Sequence, residues 1–202
     1  DAIITNGYLH DYTDMDFLKY AQDQFRQTGS NPEYKDWLGL VQKMPSTKLS
    51  NYIMRNTDGL HFENKTTAWG LSEKSISNGV VYADLDNDGD WDIIINHLNE
   101  GMGVYQNQVN TSTNRFIKIR LTGEKRNIYG IGAKLWITAD DKTIFQEAHF
   151  GRGYASSVEP VLTIGIGATN TIKQIKVLWP DGKLSVMNNV PSNQTINLKQ
   201  AM

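Results

Sequence analysis

Five aspartates fall within nine residues of the chain, and their type and spacing suit one chemistry, the binding of a metal ion. The segment reads Asp84-Leu85-Asp86-Asn87-Asp88-Gly89-Asp90-Trp91-Asp92. So many like charges repel one another unless a positive charge lies among them. Oxygen ligands at alternate positions, with a glycine where the chain must turn sharply, suit a hard divalent cation and above all calcium. This segment, here called the acidic loop, therefore predicts a calcium site.

The order of the aspartates is that of a calcium loop. Asp84, Asp86 and Asp88 take positions one, three and five, where carboxylates bind the ion. Asp90 at position seven would offer its backbone carbonyl, and Asp92 at position nine a further carboxylate. An EF-hand is excluded, because position twelve is an isoleucine and because the flanking segments have strand patterns. Two alternatives remain open: a solvated turn that binds no ion, and a magnesium ion.

Bulk composition limits the class of protein. The chain has 202 residues, enough for one or two domains with cores of their own. The formal net charge is -2 and the acidic loop carries five negative charges, so the remainder is +3. Without a basic stripe, nucleic acid is not an expected partner. No apolar run approaches the roughly 20 residues that span a bilayer, and the absence of cysteine excludes disulfides and thiolate metal sites.

The elements around the loop are predicted to be short strands with a helical insertion. Apolar residues at helical spacing predict two helices within about 14–43, separated by Gly29 and a capping-box pattern over 30–33. From Asn51 the period changes to two, and Asn56-Thr57-Asp58-Gly59 predicts a hairpin. One strand pattern precedes the acidic loop, another follows it, and a last predicted strand lies at 103–107. Four or five short strands around one loop are typical of a propeller blade.

A second domain is predicted beyond the small polar stretch 109–114. Its strand patterns alternate cleanly, with Ile117, Ile119 and Leu121 on one face of the first strand. About seven such strands predict a compact antiparallel β-sandwich without a helix. The expected domains are therefore 1–108 and 114–202.

A weak internal echo links the start of the chain to the acidic loop. Asp1-Ala2-Ile3-Ile4-Thr5-Asn6 has the pattern of Asp92-Ile93-Ile94-Ile95-Asn96: an aspartate, an apolar strand and a turn-forming asparagine. If the echo is real, Asp1 is the last ligand of an earlier acidic loop, and the chain is a piece of a longer repeat protein.

With these residues in hand, the chain resembles two families. Residues 51–108, with Asn78 to Ala83 running into the Asp-x-Asp-x-Asp-Gly-x-x-Asp pattern, resemble an FG-GAP/VCBS repeat. Such repeats form β-propeller blades, those of integrin α-subunits among them, with calcium in this loop. The resemblance implies side-chain ligands at Asp84, Asp86, Asp88 and Asp92 and a backbone ligand at Asp90.

Residues 114–199 resemble the ASPIC/UnbV domain that often follows those repeats. The shared features are Asn127 to Ala133, Gly151-x-Gly153-Tyr154, Leu162-x-x-Gly165-x-Gly167 and Val177-x-Trp179-Pro180-Asp181-Gly182. No catalytic residues come with this family. The resemblance implies a secreted or surface-attached protein in a bacterial envelope.

Other candidate sites are weaker. The histidines show no ligand spacing, which argues against a zinc site; they are His10, His61, His97 and His149. Among the aromatic residues, Trp136 is the best candidate for contact with a sugar, because it falls on the polar side of its strand. A nucleophile at Ser156-Ser157 lacks a strand-turn-helix elbow and a partner histidine.

The expected function is that of a non-catalytic, calcium-binding scaffold or binding module of a secreted or cell-surface protein. Its partners would be a protein or carbohydrate ligand and the neighbouring repeats of the parent protein. The alternative is an ancillary domain of an enzyme that processes polysaccharides, which would need two carboxylates about 5–9 Å apart across a cleft. The acidic residues available for that pair outside the loop are Glu124, Asp140, Asp141 and Glu147.

Overall fold

The computed structural model describes residues 1–28, 34–109, 113–124 and 126–200. Within them the fold is mainly β, as predicted, with two helices, α1 (Met15–Thr28) and α2 (Tyr34–Lys43). The two helices expected within about 14–43 are thus confirmed, while the predicted break at 29–33 lies outside the described residues. That they are an insertion into a repeat stays a prediction. Helix α1 is capped by Asp14, whose Oδ1 accepts the Phe17 N–H at 2.7 Å.

Strands of the first half form small sheets. Their bounds are β1 (Ala2–Ile4), β2 (Leu49–Ser50), β3 (Tyr52–Asn56), β4 (Phe62–Asn64), β5 (Lys74–Ser75), β6 (Ser77–Ala83), β7 (Asp92–His97) and β8 (Gly103–Tyr105). The sheets have the orders β1-β3-β4, β2-β5 and β6-β7-β8. Strands β3 and β4 pair antiparallel with Asn56 opposite Phe62, so the predicted hairpin is confirmed.

The described residues of the second half form seven strands in two sheets. Their bounds are β9 (Arg115–Thr122), β10 (Lys134–Ala139), β11 (Lys142–Glu147), β12 (Val161–Gly167), β13 (Thr171–Leu178), β14 (Leu184–Pro191) and β15 (Gln194–Lys199). The four-stranded sheet has the order β11-β10-β13-β14 and the three-stranded sheet β12-β9-β15. Strands β9 and β15 run parallel, so the expectation of a wholly antiparallel arrangement is wrong for this pair.

Both sheets of the second half contribute to one hydrophobic core. Ile117 and Ile119 of β9, Leu135 and Ile137 of β10 and Ile175 of β13 are almost fully buried within it. The alternation predicted for β9 is confirmed, since Arg120 and Thr122 on its other face are exposed. Lys118 lies on that outer face too, yet its side chain is only 12% exposed.

The chain divides into two compact units that do not follow its order. The first consists of residues 1–80 and 95–103, and the second of residues 81–94 and 104–202. The division passes through β6, β7 and β8, and it assigns the acidic loop to the same unit as the seven strands β9–β15. The domain ranges expected from sequence, 1–108 and 114–202, stay a prediction.

Candidate metal site

The acidic loop connects the end of β6 to the start of β7, so strands flank it on both sides as the sequence predicts. Two residues of its turn have positive φ, Asn87 at 63° and Gly89 at 95°. A Cβ atom at position 89 would lie 1.9 Å from Cδ1 of Phe116 on β9. A glycine is therefore required at position 89 for two reasons: the backbone has a positive φ, and the Phe116 ring leaves no space for a Cβ atom.

Three of the predicted ligands converge. Asp84, Asp86 and Asp88 can each place one carboxylate oxygen so that the three atoms lie within 4.8 Å of one another. The loop's own backbone orients these side chains: Gly89 N–H donates to Asp84 Oδ2 at 2.8 Å, and Asp90 N–H donates to Asp88 Oδ1 at 3.1 Å. The same fold of the backbone thus holds three negative charges together.

Several carboxylate oxygens of the loop are buried without a hydrogen-bond partner among the described residues. They are Oδ1 of Asp84 and both oxygens of Asp90. Burial, together with the neighbouring charges of Asp88, Asp92, Asp86 and Asp84, raises the pKa of Asp90 to about 6. Buried polar atoms almost always have partners, so the unpartnered Oδ1 of Asp84, one of the three converging aspartates, fits a cation that would bind there.

Both carboxylate oxygens of Asp92 accept hydrogen bonds from backbone N–H groups. Of the five aspartates, Asp92 is the one that is buried as a whole residue, at 2% exposed. Oδ2 accepts the Leu85 N–H at 2.9 Å, and Oδ1 accepts the Asn107 N–H at 2.9 Å. Asp92 therefore ties the two ends of the loop to the segment after β8, and its role as a metal ligand stays a prediction.

The internal echo extends to this hydrogen bond. Asp1, at the start of β1, accepts the N–H of Asn56 at 2.8 Å through its Oδ1. Asp92, at the start of β7, makes the equivalent bond with Asn107. In both places an aspartate that opens an apolar strand accepts the backbone N–H of an asparagine at or just past the end of another strand. The two segments thus share this contact, and both the repeat and the earlier calcium loop expected before Asp1 stay predictions.

The acidic loop packs against the outer face of β9. Lys118 Nζ lies 2.5 Å from Asp84 Oδ2, and the side chains are 12% and 1% exposed. Together with the contact of Gly89 on Phe116, this ion pair covers a strand face that would otherwise meet solvent. Sequence reasoning did not find Lys118, because its only signal is a lysine at an outward position of a strand far along the chain.

A second anchor joins the loop to the segment after β11. Trp91 of the loop stacks on Tyr82 with ring centroids 4.2 Å apart. The Arg152 side chain donates from Nε to the Tyr82 hydroxyl and lies over the same ring, 5.3 Å from its centroid. The positively charged Arg152 side chain, within the Gly151-x-Gly153 motif, thus lies beside Tyr82 near the end of β6.

Beside the loop lies a cavity of about 330 Å³. The loop contributes Gly89, Asp90 and Trp91 to its wall, and the strands contribute Phe116 and Thr163 among others. Asp90, whose carboxylate oxygens are buried without a hydrogen-bond partner among the described residues, thus forms part of the wall of this cavity.

Trp136 lies on the outer face of the four-stranded sheet, partly exposed. Its ring packs at 5.5 Å from that of Phe145 on β11, and Lys176 Nζ lies 5.6 Å from its centroid. These are its cross-strand neighbours, so the ring is fixed within the sheet surface. Its role in ligand binding stays a prediction.

Two of the four carboxylates of the rival enzymatic interpretation, Asp140 and Asp141, have local partners. Asp140 Oδ2 accepts the Thr169 hydroxyl at 2.5 Å, and Asp141 lies 3.7 Å from Lys173 Nζ. Glu147 is exposed on β11, opposite Lys134. Glu124 has one buried oxygen without a partner among the described residues.

One polar cluster escaped the sequence analysis. Ser77 Oγ lies 2.8 Å from His97 Nδ1, a distance at which a histidine could activate a serine. However, Ser77 is 1% exposed, and it also bonds Ser75 at 2.7 Å and Asn51 at 3.1 Å. A substrate cannot reach it, so the cluster satisfies buried polar groups of the first unit.

Comparison with known proteins bears on the second half. Residues 123–202 match the family model described as ASPIC and UnbV. No curated protein matches the chain. Neither of the described helices is long and apolar enough to cross a membrane.

Proposed function

We propose that this protein is a non-catalytic scaffold or binding module in which a calcium ion, held by the acidic loop, stabilises the second unit. The observation that carries the proposal is the convergence of Asp84, Asp86 and Asp88 beside buried oxygens that lack partners among the described residues. Carboxylates held this close raise the free energy of the folded state unless a cation offsets their charge. Side chains of Asp84, Asp86, Asp88 and Asp92 and the backbone carbonyl of Asp90 are the proposed ligands.

Calcium is favoured over magnesium by the donor set. Four carboxylates and a backbone carbonyl supply the many oxygen ligands that calcium takes. Magnesium usually retains several waters and binds one or two carboxylates. Bound calcium would supply fixed positive charge and no catalytic group, which agrees with a structural role.

The proposed setting is a secreted or cell-surface protein of the bacterial envelope. The acidic loop between two strands, and the Asp–Asn contact that recurs at Asp1 and Asp92, support an FG-GAP/VCBS repeat and hence a propeller-type blade. The proposed ligand of the module is a protein or a carbohydrate, with Trp136 as the candidate contact. Its partly exposed ring on the outer sheet face supports this role.

Calorimetry and thermal melting of the protein with calcium, magnesium or chelator test the metal assignment. Extracellular calcium modules bind at about 0.1–1 mM, so 10 mM calcium should add about 1.4–2.7 kcal/mol to the free energy of unfolding. For a protein of this size the melting temperature should rise by roughly 3–10 °C. Asp86→Ala should abolish the rise, because it removes a proposed ligand. The exposed Asp86 side chain otherwise accepts hydrogen bonds from the Gln106 amide at 2.7 Å and from the Asp88 N–H at 3.3 Å.

Asp141→Ala is the matched control. Asp141 is fully exposed and lies in the turn between β10 and β11, so its loss should leave the response to calcium unchanged. An equal response to magnesium would contradict the choice of calcium. A melting temperature indifferent to both ions would contradict the metal site itself.

The alternative, an ancillary domain of a polysaccharide-processing enzyme, makes a different prediction. It requires hydrolysis of a polysaccharide that is lost when one of two paired carboxylates is replaced. A glycan array, a pull-down and a reducing-sugar assay on the same protein separate the two functions. Binding without hydrolysis supports the module, and hydrolysis abolished by Glu147→Gln or Asp140→Asn would support the enzyme.

A further inference from the structure

Lys118 occupies a position where a lysine is normally free to extend into water. It lies on β9 between two core residues, Ile117 and Ile119, and so points to the outer face of the three-stranded sheet. Arg120 and Thr122 on the same face are exposed, whereas the Lys118 side chain is 12% exposed. Burying most of a lysine is costly unless its charge is paired, and here the pair is a carboxylate of the acidic loop.

The two carboxylate oxygens of Asp84 differ in their partners. Oδ2 takes both Lys118 Nζ, at 2.5 Å, and the Gly89 N–H, at 2.8 Å. Oδ1 is buried and has no partner among the described residues. The carboxylate is 1% exposed, so water does not compete freely for it. A metal ion at this aspartate would therefore bind through Oδ1 and share the group with a permanent positive charge.

We propose that Lys118 sets the calcium affinity of the acidic loop by acting as a resident counter-ion. The inference rests on the proposed function, since it concerns the same site. Without calcium, Lys118 offsets part of the repulsion among the five aspartates and keeps the loop against β9. With calcium bound, the lysine and the ion repel each other across one carboxylate, and the affinity is lower than the aspartates alone would give.

An opposite role, in which Lys118 strengthens binding by orienting Asp84, is disfavoured by the second contact on Oδ2. The Gly89 N–H holds that oxygen from within the loop, so the orientation does not depend on the lysine. Two positive charges on one carboxylate are closer than a Debye length, and salt screens their repulsion only in part. Even in a water-like dielectric, such repulsion amounts to about tenfold in affinity.

The test measures two quantities that should move in opposite directions. Lys118→Met keeps most of the apolar stem and removes the charge. Its calcium dissociation constant by calorimetry should fall about tenfold, whereas its melting temperature in chelator should fall below that of the unmodified protein. Lys118→Arg keeps the charge and should retain the weaker affinity. Lys199→Met is the matched control, because Lys199 is exposed on the neighbouring strand β15, opposite Thr122.

Each outcome decides the proposal. Unchanged or weaker calcium binding by Lys118→Met, with normal binding by the unmodified protein, overturns the role of Lys118 and leaves the calcium site standing. A lack of calcium binding by both proteins overturns the two proposals together. If Lys118→Met does not fold, as judged by circular dichroism, Lys118→Gln carries the same comparison with a side chain that can still donate a hydrogen bond to Asp84.

Discussion

Asp90 is a residue whose negative charge its surroundings compensate poorly. Both of its oxygens are buried without a hydrogen-bond partner among the described residues, and its pKa is raised to about 6 from an ordinary value of 3.8. A carboxyl with a raised pKa binds its proton more tightly in the folded state than in the unfolded one. Its ionisation therefore costs stability as the pH rises through this range.

The pH dependence of the metal-free protein should reveal this cost. Below about pH 3.8 Asp90 is protonated in both states and costs nothing, and above about pH 6 the full cost is present. Asp90→Asn removes the cost of ionising this carboxyl. In chelator, the melting temperature of the variant should therefore exceed that of the unmodified protein by a margin that grows as the pH rises from 4 to 7. Melting curves across that range measure the gap.

Two further results would complete that comparison. Saturating calcium lowers the pKa of a nearby carboxyl, so the gap between the two proteins at pH 7 should shrink when calcium is added. Parallel pH profiles of the two proteins in chelator would contradict the assignment of the cost to Asp90.

At the scale of elements, the contact between the acidic loop and β9 depends on one glycine. Gly89→Ala would place a methyl group within 1.9 Å of the Phe116 ring at a φ of 95°. The left-handed backbone alone costs about 1 kcal/mol, and forcing an atom into a packed contact costs about 1–3 kcal/mol more. The variant should lose roughly 2–4 kcal/mol of unfolding free energy in urea titrations.

Gly182→Ala separates the two contributions. Gly182 lies in the turn between β13 and β14 of the same unit, with a φ of 88° and open space where a Cβ would be. The free energy of unfolding of this variant should fall by about 1 kcal/mol, the cost of the left-handed backbone conformation alone. Equal losses in the two variants would show that the loop does not press against Phe116.

The sequence predicts those elements that depend on local pattern. The helices within 14–43 follow from apolar spacing, and the β3–β4 hairpin follows from its turn residues. Strand direction does not follow, because alternation is the same in parallel and antiparallel pairs. Strand β14 belongs to the four-stranded sheet, and a turn at Ser192 and Asn193 transfers the chain to the other sheet, where β15 runs parallel to β9.

The candidate site divides in the same way. The spacing of Asp84, Asp86 and Asp88 predicts their convergence, because residues at alternate positions of a tight turn share one side. Lys118 contacts the loop from β9 and Asn107 from the segment after β8, and these contacts depend on tertiary packing that one sequence does not encode in a local pattern.

At the scale of the whole molecule, the acidic loop and β9–β15 share one compact unit, so calcium should protect more than the loop. A ligand that binds only the folded site suppresses every opening that dismantles it. Hydrogen exchange of the backbone amides should therefore slow on addition of calcium both in the loop and in β9. The β3–β4 hairpin, in the other unit, serves as the internal control and should exchange at an unchanged rate.

Protection confined to residues 84–92 would contradict the docking of the loop on β9. A uniform slowing that includes the β3–β4 hairpin would contradict the assignment of the effect to one unit. Asp86→Ala, measured in the same way, should show no change with calcium in any peptide.

The central place of β9 has a practical consequence for anyone who expresses the family-matched C-terminal portion, residues 123–202, on its own. The family match begins at residue 123, whereas β9 ends at Thr122 and lies between β12 and β15, to both of which it is hydrogen-bonded. A recombinant polypeptide cut at that limit would lack the middle of a sheet and bare the apolar side chains that β9 covers. We expect this polypeptide to aggregate during expression. A polypeptide that begins before Val81 keeps both β9 and the acidic loop that packs against it.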